Sequence, residues 1–306
     1  MNAAVTQGSP SIENWIAEQA LIVEQSLDQW LPGQELEPSA LHQAMRWATL
    51  GGGKRVRACM VYAAAHACQP AFDASLQQAL NRAACAVELI HAYSLIHDDL
   101  PCMDDDPMRR GKPATHVQFG EAMALLAGDA MQPLAFEWLS EMPIAPALVV
   151  QAVRNLSGAI GSQGMAGGQA VDLLSTGVFL DELALAQMHA KKTGSLLAAC
   201  AQLGAIVVGA GSAHREALRN YSEAIGLAFQ VVDDILDATA VSEQLGKTAG
   251  KDAAANKATY VGLLGVEGAS DLASSLHLKA IEAIVSFGSR GNYLKGLADF
   301  IVRRGH

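Results

Sequence analysis

Phe229-Gln230-Val231-Val232-Asp233-Asp234-Ile235-Leu236-Asp237 is the stretch from which the fold is read. At about 100° per residue, Gln230, Asp233, Asp234 and Asp237 share one stripe of an α-helix. Polar residues recur here at spacings of three and four, which is helical rather than strand periodicity. Three carboxylates and an amide therefore face a common space from an otherwise apolar helix, where uncompensated charge is expensive. A solvated helix end is the ordinary alternative. Phe229, Val231, Val232, Ile235 and Leu236 leave it little ordinary polar face.

A second acidic segment lies far upstream, Asp98-Asp99-Leu100-Pro101-Cys102-Met103-Asp104-Asp105-Asp106. It closes the apolar run Ala92-Tyr93-Ser94-Leu95-Ile96. His91, Ser94 and Asp98 form a stripe, with His91 about 10 Å below Asp98 along the axis. A lone histidine is more often structural than a ligand, and only this alignment makes His91 a candidate. Asp104 is out of phase on an ideal helix, and Pro101 permits a distortion that would bring it back. Oxygen-only clusters of this kind suit hard divalent cations, above all Mg²⁺. Two of them suggest one metal cage closed from two sides.

Four basic segments accompany the acids. Gly51-Gly52-Gly53-Lys54-Arg55-Val56-Arg57 sets three cations at a helix start, where they oppose the helix dipole and favour a phosphate. A solvated basic turn is the alternative there. Arg109-Arg110-Gly111-Lys112 follows the first acidic cluster, so simple charge balance also accounts for it. Lys191-Lys192-Thr193-Gly194 interrupts an Ala/Leu-rich helix, and Leu245-Gly246-Lys247 with Gly250-Lys251-Asp252 follows the second cluster. Metal-type acids, phosphate-type cations and apolar helices together suit a substrate with a diphosphate head and a hydrocarbon tail.

Composition agrees. The 306 residues carry no linker, low-complexity tract or repeat, so one domain spanning 1–306 is expected. Apolar residues make up 51% of the chain, enough for a sizeable core, and aromatics are few. Helices are expected over about 11–30, 39–51, 54–68, 74–99, 117–140, 144–163, 165–174, 180–210, 213–238, 257–264 and 268–304. The long loops about 101–115 and 239–256 each follow an acidic cluster and are candidate lids. A net charge of −10 argues against a nucleic-acid surface, while bound metal ions would let an acidic protein take an acidic substrate. Five cysteines without a Cys-x-x-Cys pair, no signal peptide and no membrane-spanning run lead to the expectation of a cytoplasmic protein.

These motifs, in this order, resemble those of the trans-prenyltransferases (polyprenyl diphosphate synthases), closest to the bacterial farnesyl diphosphate synthases. The resemblance runs from Gly52-Gly53-Lys54 through Ile90–Asp99, Arg109-Arg110-Gly111, Gly167-Gly168-Gln169 with Asp172, Lys192-Thr193-Gly194, Phe229–Asp234 and Gly250-Lys251-Asp252. Ala58 departs from it, standing where the family often has Pro. It implies an all-α fold, the isoprenoid-synthase helical bundle around a deep central cavity, usually as a homodimer. It also implies Mg²⁺ as cofactor, three ions with substrate bound.

Carried over by position, Asp98, Asp104 and Asp233 are the principal metal ligands, and Asp99, Asp234 and Asp237 ligate or support through water. Arg109, Lys192 and Lys247 hold the allylic diphosphate. Lys54, Arg57, His91 and Arg110 hold isopentenyl diphosphate. Thr193 and Gln230 face the allylic cation, and Asp172 pairs with Lys192 or a metal-bound water. A bulky aromatic at the fifth residue before the first aspartate, here Tyr93 followed by Ser94, implies a cavity floor that stops growth at farnesyl diphosphate. Helix geometry alone points Ser94, not Tyr93, to the face of Asp98. The implied reaction condenses isopentenyl diphosphate with dimethylallyl or geranyl diphosphate. Alternatives are a geranylgeranyl diphosphate synthase and, less favoured, a terpene cyclase of the same fold. The intact Asp233-Asp234-x-x-Asp237 motif together with Lys54 and Arg57 argues against the cyclase, and two intact acidic motifs argue against a non-catalytic subunit.

Overall fold

A computed structural model of the chain describes residues 11–239 and 258–303. Lys247, Lys251 and most of the expected second lid lie outside the described residues. The architecture is all-α. Ser11 accepts a hydrogen bond from the Asn14 amide and opens α1 (Ile12–Trp30), as its N-cap position requires. Ser39 is the first residue of α2 (Ser39–Thr49), with Pro38 at the cap position and the Ser39 amide donating to Glu37 Oε2 at 3.1 Å.

Three helices form the centre: α3 (Val56–Cys68), α4 (Ala74–Asp98) and, later in the chain, α10 (Ser195–Val207). They are rich in Ala, and α3 and α10 are buried on nearly every side, as core helices must be. Small residues bring them close. A β-carbon at Gly204 would stand 2.2 Å from the Val61 carbonyl oxygen, so α10 packs on α3 backbone to backbone.

Around this centre lie α5 (Thr115–Phe119), α6 (Glu121–Ser140), α7 (Pro146–Ile160), α8 (Met165–Leu174) and α9 (Glu182–His189), the last capped by Asp181, whose Oδ1 accepts the Ala184 amide. The long α11 (Ser212–Thr239) packs along α12 (Tyr260–Ala283), and α13 (Asn292–Arg303) closes the chain over α3. A smaller apolar cluster of Leu185, Met188, Val231, Val232, Ile235, Tyr260, Ala269 and Ala273 joins α9, α11 and α12.

Several expected helices are divided, each for a local reason. The 117–140 helix begins earlier, at Thr115, and breaks at Gly120, whose φ of +84° lies outside the helical region. The 180–210 helix contains a π-helical turn, Ala190–Gly194. The 268–304 helix is interrupted by a 3₁₀ segment, Val285–Gly291, with Gly288 at φ +57°. Conversely, the expected 257–264 piece runs on into α12 across a kink at Gly265. Within the 101–115 loop, β1 (Met108–Arg109) pairs antiparallel with β2 (Lys112–Pro113), the only strands among the described residues.

Candidate active site

The first acidic segment sits where α4 ends. The Asp104 amide donates to the Asp98 carbonyl at 2.8 Å and the Asp105 amide to that of Leu100 at 3.2 Å, so the chain curls back on the helix end. This turn returns Asp104 to the neighbourhood of Asp98, as the Pro101 reading anticipated. Loss of solvation pushes the Asp98 carboxyl up to about 6; Lys192 opposes the rise and Asp104 adds to it. Asp99 faces another way. Its oxygens lie 3.1 and 3.2 Å from Arg109 Nε, and Arg109 Nη2 bonds it as well. Arg109 also reaches Asp106 at 4.0 Å.

The β-ribbon separates the two arginines. A two-residue loop with Arg110 at φ +53° and Gly111 at φ +75° matches a tight primed hairpin turn. Arg109 is thereby directed to Asp99, while Arg110 Nη1 donates to the Gly52 carbonyl at 3.2 Å. Gly53 admits the guanidinium, since a β-carbon there would stand 3.3 Å from Arg110 Cζ. The third cation of the loop is structural: Lys112 Nζ bonds the carbonyls of Trp47 and Leu50 and lies over the Trp47 ring.

The π turn supplies the opposite wall. Lys192 Nζ donates to Asp172 Oδ2 at 2.5 Å, joining the turn to α8. Thr193 Oγ1 donates to Gln230 Oε1 at 3.2 Å, joining it to α11. Gln230 Nε2 in turn donates to Asp234 Oδ1 at 2.9 Å, and Asp234 Oδ2 accepts the Tyr260 amide at 2.7 Å. Asp234 thus anchors the start of α12. A wider helical turn places neighbouring residues where a regular α-helix would not, and such turns recur at functional sites.

The basic triplet splits by role. Arg55, at φ +49°, is buried and bonds Glu88, Glu24 and the Thr49 carbonyl; Glu88 also accepts the Ala58 amide at 3.1 Å. Arg55 is thus spent on buried acids, which leaves Lys54 and Arg57, the two residues of the triplet that the resemblance assigns to a diphosphate. Loss of solvation lowers the pKa of Arg57, and Cys200, Glu88 and Asp233 oppose this. Loss of solvation also holds His91 well below the usual histidine range, followed by the fields of Arg57 and Arg110. His91, Arg57 and Arg110 thus gather as one group. Lys54 lies apart from them in chemistry, its Nζ 4.7 Å over the Phe300 ring of α13.

The expected cage is not preassembled. Among the described residues no three acidic, histidine or cysteine side chains stand close enough to hold a metal by themselves. Like-charged carboxylates separate when nothing cationic lies between them, and Asp99 and Asp234 have turned to other partners. The donor chemistry still fits Mg²⁺: all oxygen, with Asp98 and Asp104 adjacent and Asp237 Oδ1 buried without a hydrogen-bond partner.

Two residues escaped the sequence reading as individuals. His189, one helical turn before Lys192, is buried with neither ring nitrogen bonded, and burial holds it down at about 4. Its ring lies 5.8 Å from that of Tyr260. Gln169, one turn before Asp172, is likewise buried with both amide atoms unpartnered. Their spacing of three residues from Lys192 and from Asp172 is the sequence signal that was passed over. Tyr93 is 8% exposed and touches His97 edge-on, while Ser94 Oγ bonds back to the His91 carbonyl at 2.9 Å.

An all-α bundle that sets two aspartate-rich helix segments among diphosphate-type cations defines a prenyltransferase of the isoprenoid-synthase fold. Residues 38–283 match the polyprenyl synthetase family model, and the chain belongs to that family. It is 44% identical over 296 residues to geranylgeranyl pyrophosphate synthase 4 of Arabidopsis thaliana, covering 95% of this chain and 78% of that protein. An FPP/GFPP synthase of Zymomonas mobilis superposes with a TM-score of 0.85 at 38% identity, over 95% of this chain and 98% of the other. A Helicobacter pylori geranyltransferase complexed with magnesium and isoprenyl diphosphate superposes at 0.86 with 29% identity, over 97% and 98%.

Proposed function

We propose that this prenyltransferase is Mg²⁺-dependent and condenses isopentenyl diphosphate with dimethylallyl or geranyl diphosphate, stopping at farnesyl diphosphate. The observation that carries the product length is Tyr93, a large side chain 8% exposed, whose phenol pKa is raised by burial and further by the nearby Asp98 charge. A buried ring in that position is suited to close the space into which a growing chain would extend. The second reading, geranylgeranyl diphosphate, is favoured by the names of plant relatives such as the Arabidopsis protein.

Asp98, Asp104 and Asp233 would hold Mg²⁺, with Asp237 in support; bound there, the metal offsets the negative charge of a departing diphosphate. Lys192 and Arg109 hold the allylic diphosphate, and the Asp172 and Asp99 carboxylates orient them. His91, Arg57, Arg110 and Lys54 hold isopentenyl diphosphate. Thr193 and Gln230 turn their oxygens toward the carbon that becomes cationic, and the isopentenyl double bond attacks it. The apolar helices exclude water, which would otherwise quench the cation. No side chain here stands out as the base, and the released diphosphate is the acceptor for the final proton.

Exposed Val117, Leu125 and Leu126 on α5 and α6 support pairing of two copies, and five free thiols support a reducing, cytoplasmic setting. The test is an assay of the purified chain with dimethylallyl or geranyl diphosphate, isopentenyl diphosphate and Mg²⁺, with products resolved by length. Farnesyl diphosphate as main product, lost on chelation, supports the reading. Mainly geranylgeranyl diphosphate favours the second reading, and a hydrocarbon from farnesyl diphosphate alone would reveal a cyclase.

A further inference from the structure

Tyr93 does not stand alone at the end of its helix. His97, one turn further along α4, meets it edge-on, with ring centroids 5.7 Å apart and planes at 74°. The histidine is fixed from behind by α6. Its Nε2 lies 3.1 Å from the Leu125 carbonyl oxygen, and because that oxygen can only accept, Nε2 carries the proton and donates. The ring occupies a notch in α6 made by a missing side chain: a β-carbon on Gly128 would stand 2.1 Å from Nε2 and under 3 Å from both neighbouring ring carbons. A glycine inside a helix costs about 1 kcal/mol relative to alanine, so the notch is retained against local helix preference. Ring, carbonyl and notch are matched.

We propose that His97, seated in the Gly128 notch, is a positioning residue that holds the Tyr93 ring and so sets product length. The proposal rests on the reading of Tyr93 as the cavity floor. Removing the imidazole leaves a void beside Tyr93, into which the phenol ring can swing, freeing the space that the ring had closed to the chain. Filling the notch pushes the imidazole toward Tyr93 and shortens that space. His97 itself touches neither diphosphate nor reacting carbon.

The experiment compares Y93A, H97A, G128A and H97A/G128A in full-length enzyme with geranyl diphosphate, isopentenyl diphosphate and Mg²⁺. Y93A should lengthen the products. H97A should raise the ratio of longer to shorter product by roughly fivefold to tenfold, with the KM for isopentenyl diphosphate unchanged. G128A should shift products shorter. If G128A does not fold, the double variant decides: removal of the imidazole makes room for the new methyl, so recovered folding supports the notch and continued failure overturns it. Longer products from Y93A but not from H97A would overturn the role of His97 alone. Unchanged products from Y93A would overturn the floor reading and this proposal with it.

Discussion

Gly168 of α8 lies directly against the backbone of Lys192: a β-carbon at 168 would stand 2.2 Å from the Lys192 amide nitrogen and 2.5 Å from its Cα. On the other side, a β-carbon at Gly226 of α11 would stand 3.1 Å from Gly194 Cα. The π turn is therefore held between two helices that approach through glycine. Lys192 reaches Asp172 on one of them and Thr193 reaches Gln230 on the other.

Gly168→Ala should consequently displace the turn. Overpacking of this kind costs about 1–3 kcal/mol of stability. Movement of Lys192 and Thr193 by about an ångström should lower kcat by roughly a hundredfold. Urea unfolding and steady-state kinetics check the two effects separately, and wild-type kcat in a folded variant would contradict the account.

Thr193→Val keeps shape and removes one hydroxyl. It should lower kcat by roughly tenfold to a hundredfold while changing stability by only about 1 kcal/mol, since one partly buried hydrogen bond is lost. An equal loss expressed wholly in KM would instead indicate a role in ground-state binding.

Arg55 and Arg57, two residues apart, should behave as different kinds of residue. Glu88→Ala strands the Ala58 amide and removes one of the two carboxylate partners of Arg55, which keeps Glu24 and the Thr49 carbonyl, and should cost about 1–3 kcal/mol. Arg57→Ala should leave stability nearly unchanged and raise the KM for isopentenyl diphosphate roughly tenfold or more. Denaturant titration of the first and kinetics of the second make the comparison.

Asp98 gives a pH dependence in metal-free protein. Its carboxyl rises from 3.8 to about 6 on folding, so the folded state prefers it protonated. Stability is accordingly full below the unfolded pKa and lost as pH rises through about 6. Asp98→Asn removes that penalty. It should stabilise the metal-free protein by roughly 1–3 kcal/mol at pH 8, with the difference vanishing below about pH 4, while abolishing turnover. Thermal melting across this range in chelator is the measurement.

Local geometry determined which parts were legible in the sequence. The Gln230–Asp237 stripe and the caps at Ser11 and Asp181 follow from bonds within one turn of helix. The π turn does not, because the residues that close on it, Gly168 and Gly226, belong to other helices distant in sequence. Arg55 could not be told from Lys54 and Arg57, since Glu24 and Glu88 are distant in sequence and adjacent only after folding. Lys112 reads as a phosphate cation beside Arg109 and Arg110 until Trp47 is brought over it. Pro101 allowed the return of Asp104, but its role as a ligand came only through resemblance, since that return depends on a backbone turn onto Asp98 rather than on any helical repeat.

The aspartates at 99 and 234 are each the second of a pair, and each is committed inward, one to a guanidinium and the other to an amide side chain and a backbone N–H. An electrostatic census by residue letter therefore overstates the anionic charge open to ions in solution. Each motif thus holds one carboxylate that works as a joint, and under the proposed function its neighbour, Asp98 or Asp233, is the one left for metal. On that proposal, replacing the first aspartate of a pair would remove activity from a folded protein, while replacing the second would loosen the frame that Arg109, Gln230 and the Tyr260 amide share with it.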